Sequence, residues 1–143
     1  MTTQQVLPIL IAGEWRLGGG DRYATRYPAT GEVVAELNAA SLADVEQAIQ
    51  GADHAFRTSG WARRKPHERA AVLHRVAELI RAKSEALAQR QRLDNGKPIS
   101  ETRALVASAA ATFQFFSAAL ETLEEQITPQ RGDCLTMSVY AVR

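Results

Sequence analysis

Residues 33–56, VVAELNAASLADVEQAIQGADHAF, contain the change of hydrophobic period that decides the fold. Up to Leu37 the chain alternates, which places Val33, Ala35 and Leu37 on one side of a strand. From Ser41 onward the apolar residues recur three and four apart, so Val45, Ala48, Ile49, Ala52, Ala55 and Phe56 share one helix face. Ser41 stands three residues before Asp44, the spacing at which a hydroxyl and a carboxylate satisfy each other's free backbone N–H groups at a helix start. A strand hands over to a helix between residues 38 and 41.

Toward the amino terminus the strand character continues. Ile9-Leu10-Ile11 and Trp15-Arg16-Leu17 flank Ala12-Gly13-Glu14, a hairpin in which Gly13 supplies the backbone freedom of a tight reversal. Gly18-Gly19-Gly20 interrupts it, Arg22 to Tyr27 alternates again, and Pro28-Ala29-Thr30-Gly31 has the composition of a β-turn. These signals predict a small antiparallel meander over residues 1–40. The three glycines lack the Lys-Ser/Thr of a phosphate loop and lead into a strand, so they read as a flexible connection.

Toward the carboxyl terminus the period stays helical. Gly60-Trp61 ends the first helix, and Pro66 suits the first position of a second, where its missing N–H has no intrahelical partner to lose. Val72, Leu73, Val76, Leu79, Ile80 and Leu87 are the expected buried stripe. Asn95-Gly96 supplies a left-handed helix end and Pro98 blocks simple continuation. A third helix is expected from near Ser100, with Leu105, Ala109, Phe113, Phe116, Leu120 and Leu123 on its apolar face until Pro129. Three helices are thus predicted over residues 41–128.

Composition narrows the function classes. A chain of 143 residues with 45% hydrophobic content buries one moderate core. Its 17 basic and 16 acidic residues leave a net charge of +1, which gives no general attraction to nucleic acid or anionic membrane. Arg63-Arg64-Lys65 beside Trp61 reads as a solvated loop between helices. His54, His67 and His74 have no Cys or carboxylate at zinc-site spacing. The single cysteine, Cys134, cannot form an internal disulfide and has nothing nearby in sequence to activate its thiol, which fits a packing residue in a reducing compartment. The uncharged stretch Met1 to Gln5 and the short run Val6 to Ala12, broken by Pro8, are not expected to span a bilayer. A cytoplasmic protein is the expectation.

Several strings, taken in order, then resemble one family. Ile11-Ala12-Gly13-Glu14-Trp15, Pro28-Ala29-Thr30-Gly31-Glu32-Val33, Ala52 to Phe56, Trp61, Arg69 and Leu93-Asp94-Asn95-Gly96-Lys97-Pro98 follow the order and approximate spacing of NAD(P)-dependent aldehyde dehydrogenases. The resemblance spans nearly the whole chain. It implies an α/β fold, with these residues forming part of the cofactor-binding domain and, over 129–143, the start of an oligomerisation strand. It also implies an aldehyde substrate, NAD or NADP as cofactor, and a homo-oligomer without nucleic-acid or membrane partners. Two departures stand out: Tyr27 replaces the usual Asn before the turn, and Arg90 or Gln91 replaces the acidic residue that commonly precedes the Leu-Asp-Asn-Gly-Lys-Pro string.

The resemblance places all the chemistry elsewhere. The nucleophilic cysteine, the glutamate that activates water, the oxyanion asparagine and the glycine-rich dinucleotide turn have no counterpart in these residues, so the chain is expected to be an inactive N-terminal fragment with no catalytic or cofactor-binding residue. What the family does suggest is a monovalent-cation site formed by backbone carbonyls of Thr25 and Arg26 with the Asp94 carboxylate. The alternative for Asp94 is local capping of backbone N–H groups as its helix ends. The third helix is expected to wall an aldehyde entrance with Ser108, Ala109, Ala110 and Phe113. A second function class also stays open, a non-enzymatic module that pairs with a full-length relative or another partner.

Overall fold

A computed structural model describes residues 6–124, 126–127 and 137–138. Five strands come first: β1 (Val6–Leu7), β2 (Ile9–Ile11), β3 (Glu14–Arg16), β4 (Arg22–Arg26) and β5 (Val33–Asn38). Ala12 and Gly13, at φ 50° and 88°, form the left-handed pair that a two-residue hairpin turn requires. They set Ile9 opposite Arg16 and Ile11 opposite Glu14. The second hairpin joins β4 to β5 through the expected turn, where the Gly31 N–H donates to the Tyr27 carbonyl at 2.8 Å. A register shift between Thr25 and Arg26 marks a bulge just before that turn.

The expected single meander is corrected in its pairing. β2 and β3 form a sheet of their own, and β1 lies parallel to β5 in a sheet of order β1-β5-β4. Two local features cause this. Pro8 has no N–H to offer a continuous ladder and separates β1 from β2. The glycine run is held against Ala39, whose carbonyl accepts the Gly20 N–H at 2.8 Å. A Cβ at Gly18 would come within 2.3 Å of that same carbonyl oxygen. The glycine run thus turns the chain at the end of β5, between β3 and β4.

Four helices follow rather than three: α1 (Leu42–Thr58), α2 (Pro66–Ala82), α3 (Ser84–Asn95) and α4 (Ile99–Glu121), with a short 3-10 turn at Trp61–Arg63. The Ser41–Asp44 capping box forms as the spacing predicts, and Pro66 opens α2. The stretch from Pro66 to Asn95 breaks at Lys83 (φ −109°, ψ 14°), whose N–H is shared between the Leu79 and Ile80 carbonyls at 3.2 Å. No Gly or Pro marks that break. Its reason is tertiary: α2 runs along α4, and α3 turns off to contact β4 as well.

The core is also built from smaller residues than the periodicity suggests. Ala70, Ala77 and Ala88 are buried against Thr102, Val106, Ala110 and Ser117 of α4. Such short side chains let helix axes approach closely, and the Ser117 hydroxyl donates to the Ala70 carbonyl at 2.8 Å inside the seam. Two surface ties flank it, the forked Arg103–Glu85 pair at 2.9 Å and Arg81 with Gln114. The expected stripes are corrected accordingly. Val72, Leu79, Leu87, Leu105, Phe113, Phe116 and Leu123 are exposed, while Leu73, Val76, Ile80 and Leu120 are half-buried. On α1, Leu42, Ile49 and Phe56 are 90%, 65% and 62% exposed. Among the described residues α4 alone is long and apolar enough to cross a membrane, although it packs its small face on α2.

Beyond α4, β6 (Gln126–Ile127) pairs antiparallel with β7 (Met137–Ser138). Of the segment 129–143 only Met137 and Ser138 are described; Pro129 and Cys134 lie outside the described residues.

Candidate functional site

Three places bring polar or apolar groups together. The first is the junction of the β2–β3 hairpin, the glycine run and α1. Here the Asp44 carboxylate accepts the backbone N–H groups of Gly19 at 2.8 Å and Ser41 at 2.9 Å, and the Ser41 hydroxyl at 2.8 Å. The Arg16 guanidinium lies 3.1 Å away. These donors, the Gly19 amide foremost, pull the Asp44 pKa down to about 2. The sequence shows the Ser41–Asp44 spacing, but Gly19 and Arg16 are too distant along the chain for any local pattern to reveal them. With its donors all supplied by this chain, the junction is a structural clamp.

The second place is a groove of about 450 Å³ between α3 and the three-stranded sheet. Thr25, Val34 and Ala35 line its floor, while Leu87, Arg90, Gln91 and Asp94 line its helical side. The structure thus brings Thr25 and Asp94 to one groove. Arg26 points its side chain elsewhere, donating to the Gly31 carbonyl at 2.9 Å. Two of the quoted strings touch where α3 ends: Gly96, at φ 74°, lies so close to Pro28 that a Cβ would meet the ring at 3.1 Å. The Arg92 guanidinium carbon lies 5.8 Å from the centre of the Tyr27 ring, a cation–π contact made possible by the unusual Tyr27.

The third place is an apolar groove of about 590 Å³, lined by Leu73 of α2, by Phe113, Phe116 and Leu120 along α4, and by Leu123 just beyond it. Of the entrance-wall residues, Phe113 lines this groove, Ser108 and Ala109 are exposed, and Ala110 is turned into the packed seam. Three consecutive residues advance about 200° around a helix and cannot share one wall. Among the described residues, His, Cys, Asp and Glu form no group of three that could hold a metal. His74 instead faces Glu78 at 3.5 Å. Nor do the described residues form a dinucleotide crevice, since the parallel strands β1 and β5 are linked through hairpins rather than through a helix with a glycine-rich start.

Comparison with known proteins accounts for this layout. The profile of the aldehyde dehydrogenase family matches residues 15–141. An N-succinylglutamate 5-semialdehyde dehydrogenase from Paraburkholderia xenovorans is 42% identical over 103 residues, covering 72% of this chain and 21% of that protein. A betaine aldehyde dehydrogenase from Agrobacterium fabrum is 40% identical over 118 residues, covering 80% and 23%. Among solved structures, an NAD-dependent aldehyde dehydrogenase from Sinorhizobium meliloti superposes with a TM-score of 0.82 at 30% identity, over 91% of this chain and 26% of that one. The P. syringae indole-3-acetaldehyde dehydrogenase, solved with NAD+ and IAA, gives 0.84 at 26% identity, over 94% and 28%. This chain therefore spans less than a quarter of the length of these two curated relatives, and little more than a quarter of the two solved structures. Sequence match and superposition agree over almost all the described elements, and the chain belongs to the aldehyde dehydrogenase family.

Proposed function

We propose that these residues serve an NAD(P)-dependent aldehyde dehydrogenase as its amino-terminal scaffold, while thiol, base, oxyanion donor and dinucleotide crevice come from other residues of the polypeptide. The observation that carries this reading is the distribution of apolar surface. Helix α1 is closed by a capping box and α4 is packed on α2 through its small face, yet the two present Leu42, Ile49, Phe56 and Phe116 to solvent. Faces of this kind are built to be covered. A catalytic role within the chain would require a group activated by its surroundings and placed beside a substrate cavity, and the one strongly shifted carboxylate near the sheet, Asp44, is consumed by its clamp.

In this reading the complete enzyme is a cytoplasmic homo-oligomer that oxidises an aldehyde, and the exposed residues Ser108, Ala109 and Phe113 border the aldehyde entrance. Replacing the corresponding segment of the Sinorhizobium meliloti relative with this chain should give an oligomer that still reduces NAD in the presence of an aldehyde. A chimera that assembles as its parent does, yet forms no NADH, would overturn the reading. Within an active chimera, Ala109→Trp should lower kcat/KM for bulky aldehydes more than for small ones, because the large ring narrows the passage. An unchanged ratio would place α4 away from the entrance.

The same uncovered faces favour a second reading, in which the chain docks as a non-enzymatic module onto a full-length relative. Co-expression with such a relative and recovery of a stable mixed complex would support it.

A further inference from the structure

We propose that the junction of Asn95 and Gly96, where α3 ends, is a latched modification site: when the last helical turn opens, Asn95 loses ammonia through a succinimide, and the product unseats Gly96 from Pro28. The proposal goes beyond the scaffold reading and stands whether or not the longer polypeptide oxidises aldehydes.

The sequence singles this junction out. The chain has two asparagines, Asn38 and Asn95, and only Asn95 precedes a glycine. Ring closure needs the backbone nitrogen of the following residue to reach the asparagine amide carbon, and glycine, without a Cβ, leaves that approach open. Asn38 precedes Ala39, and its amide nitrogen is tied to the Gly18 carbonyl at 3.0 Å. Asn95 and Gly96 are both exposed, so water and hydroxide reach them.

The structure supplies one half of the reaction and withholds the other. Asn95 Oδ1 accepts the backbone N–H of Lys97 at 3.0 Å. Negative charge develops on that oxygen when the amide carbon is attacked, so the Lys97 N–H favours the tetrahedral intermediate. The nucleophile is held: the Gly96 N–H donates to the Arg92 carbonyl at 2.9 Å, the closing bond of α3. While that bond lasts, the proton that the nitrogen must lose is engaged along the helix. The end of a helix is also where it opens most readily. Opening frees the nitrogen beside an amide that is already polarised.

The chemistry needs no cofactor. Hydroxide removes the Gly96 amide proton, the nitrogen bonds to the Asn95 amide carbon, and the intermediate, once reprotonated, expels ammonia to leave the cyclic imide. Water then opens the ring at either carbonyl, which gives aspartate or isoaspartate. Both products place a second carboxylate beside Asp94, at the negative end of the helix dipole. Isoaspartate also carries the main chain through an additional carbon, which shifts Gly96 from the position where its left-handed turn meets Pro28.

Incubation of the chain in mildly alkaline buffer, with and without urea, followed by peptide mapping and enzymatic detection of isoaspartate, tests this. Conversion should map to Asn95 and run about tenfold faster in urea, where the Gly96–Arg92 bond and its turn are absent. Asn95→Gln, whose longer side chain must close a larger ring, should show no conversion at that position. As urea is raised below the unfolding transition, the conversion rate should climb in step with hydrogen exchange of the Gly96 amide, since both report the same opening. The converted chain, separated on its added negative charge, should unfold at a lower urea concentration than the unconverted one. Equal conversion rates with and without urea would overturn the proposal. So would conversion that proceeds while the Gly96 amide stays protected, or a converted chain with an unchanged urea midpoint.

Discussion

At the scale of single residues, the most informative group is Asp44. Its carboxylate holds the glycine run through the Gly19 amide and caps α1 through Ser41. Its folded pKa of about 2 lies below the ordinary aspartate value near 3.9. A depressed carboxylate contributes stability that is fully present above the unfolded pKa and is lost as pH falls through the folded one. The clamp should weaken between about pH 4 and pH 2, and Asp44→Asn should flatten that part of the acid-unfolding curve; identical acid profiles for both forms would remove the clamp. Gly96 offers a second test. Its left-handed φ and the Pro28 ring both disfavour a side chain, so Gly96→Ala should cost about 1 kcal/mol or more in urea unfolding. No loss would mean that the two strings do not pack as described. Both residues were legible in sequence as local signals, the cap of α1 and the end of α3. Their distant partners Gly19, Arg16 and Pro28 were not, because nothing in a local period reports a contact across the fold.

At the scale of elements, periodicity found where the helices lie but chose the wrong residues for the core. It weights large apolar side chains, and so it selected Leu105, Phe113 and Phe116 of α4 over Thr102, Val106, Ala110 and Ser117. The structure buries the second set because α2 and α4 pack through their smallest residues. The break at Lys83 escaped notice for a related reason: it is imposed by two different packing partners rather than by a helix-breaking residue. A paired substitution distinguishes these faces. Ala77→Leu, at a fully buried position, should destabilise the chain by roughly 1–3 kcal/mol through overpacking. Phe116→Ser, at a residue 56% exposed, should change stability by less than about 0.5 kcal/mol and reduce self-association. The reverse order in a urea-denaturation comparison would restore the seam that periodicity suggested.

At the scale of the whole molecule, family membership was legible because the quoted strings keep their order over most of the chain, and the profile match over 15–141 rests on the same stretch. The candidate sites were less legible. Asp94 and Thr25 do meet in a groove, but Arg90 stands there too, which the spacing alone did not show. With apolar faces of α1 and α4 uncovered, the isolated chain should associate as its concentration rises, and sedimentation velocity should show species heavier than 15.6 kDa. A clean monomer at every concentration would contradict this. The central claim, that these residues are scaffold rather than catalyst, is tested most directly by following NADH absorbance when the purified chain is mixed with NAD and aldehydes of several sizes. Hydride transfer requires a held nicotinamide, an activated thiolate and an oxyanion site together, so the expected result is an unchanged absorbance. Steady NADH formation that disappears with Cys134→Ser would contradict it.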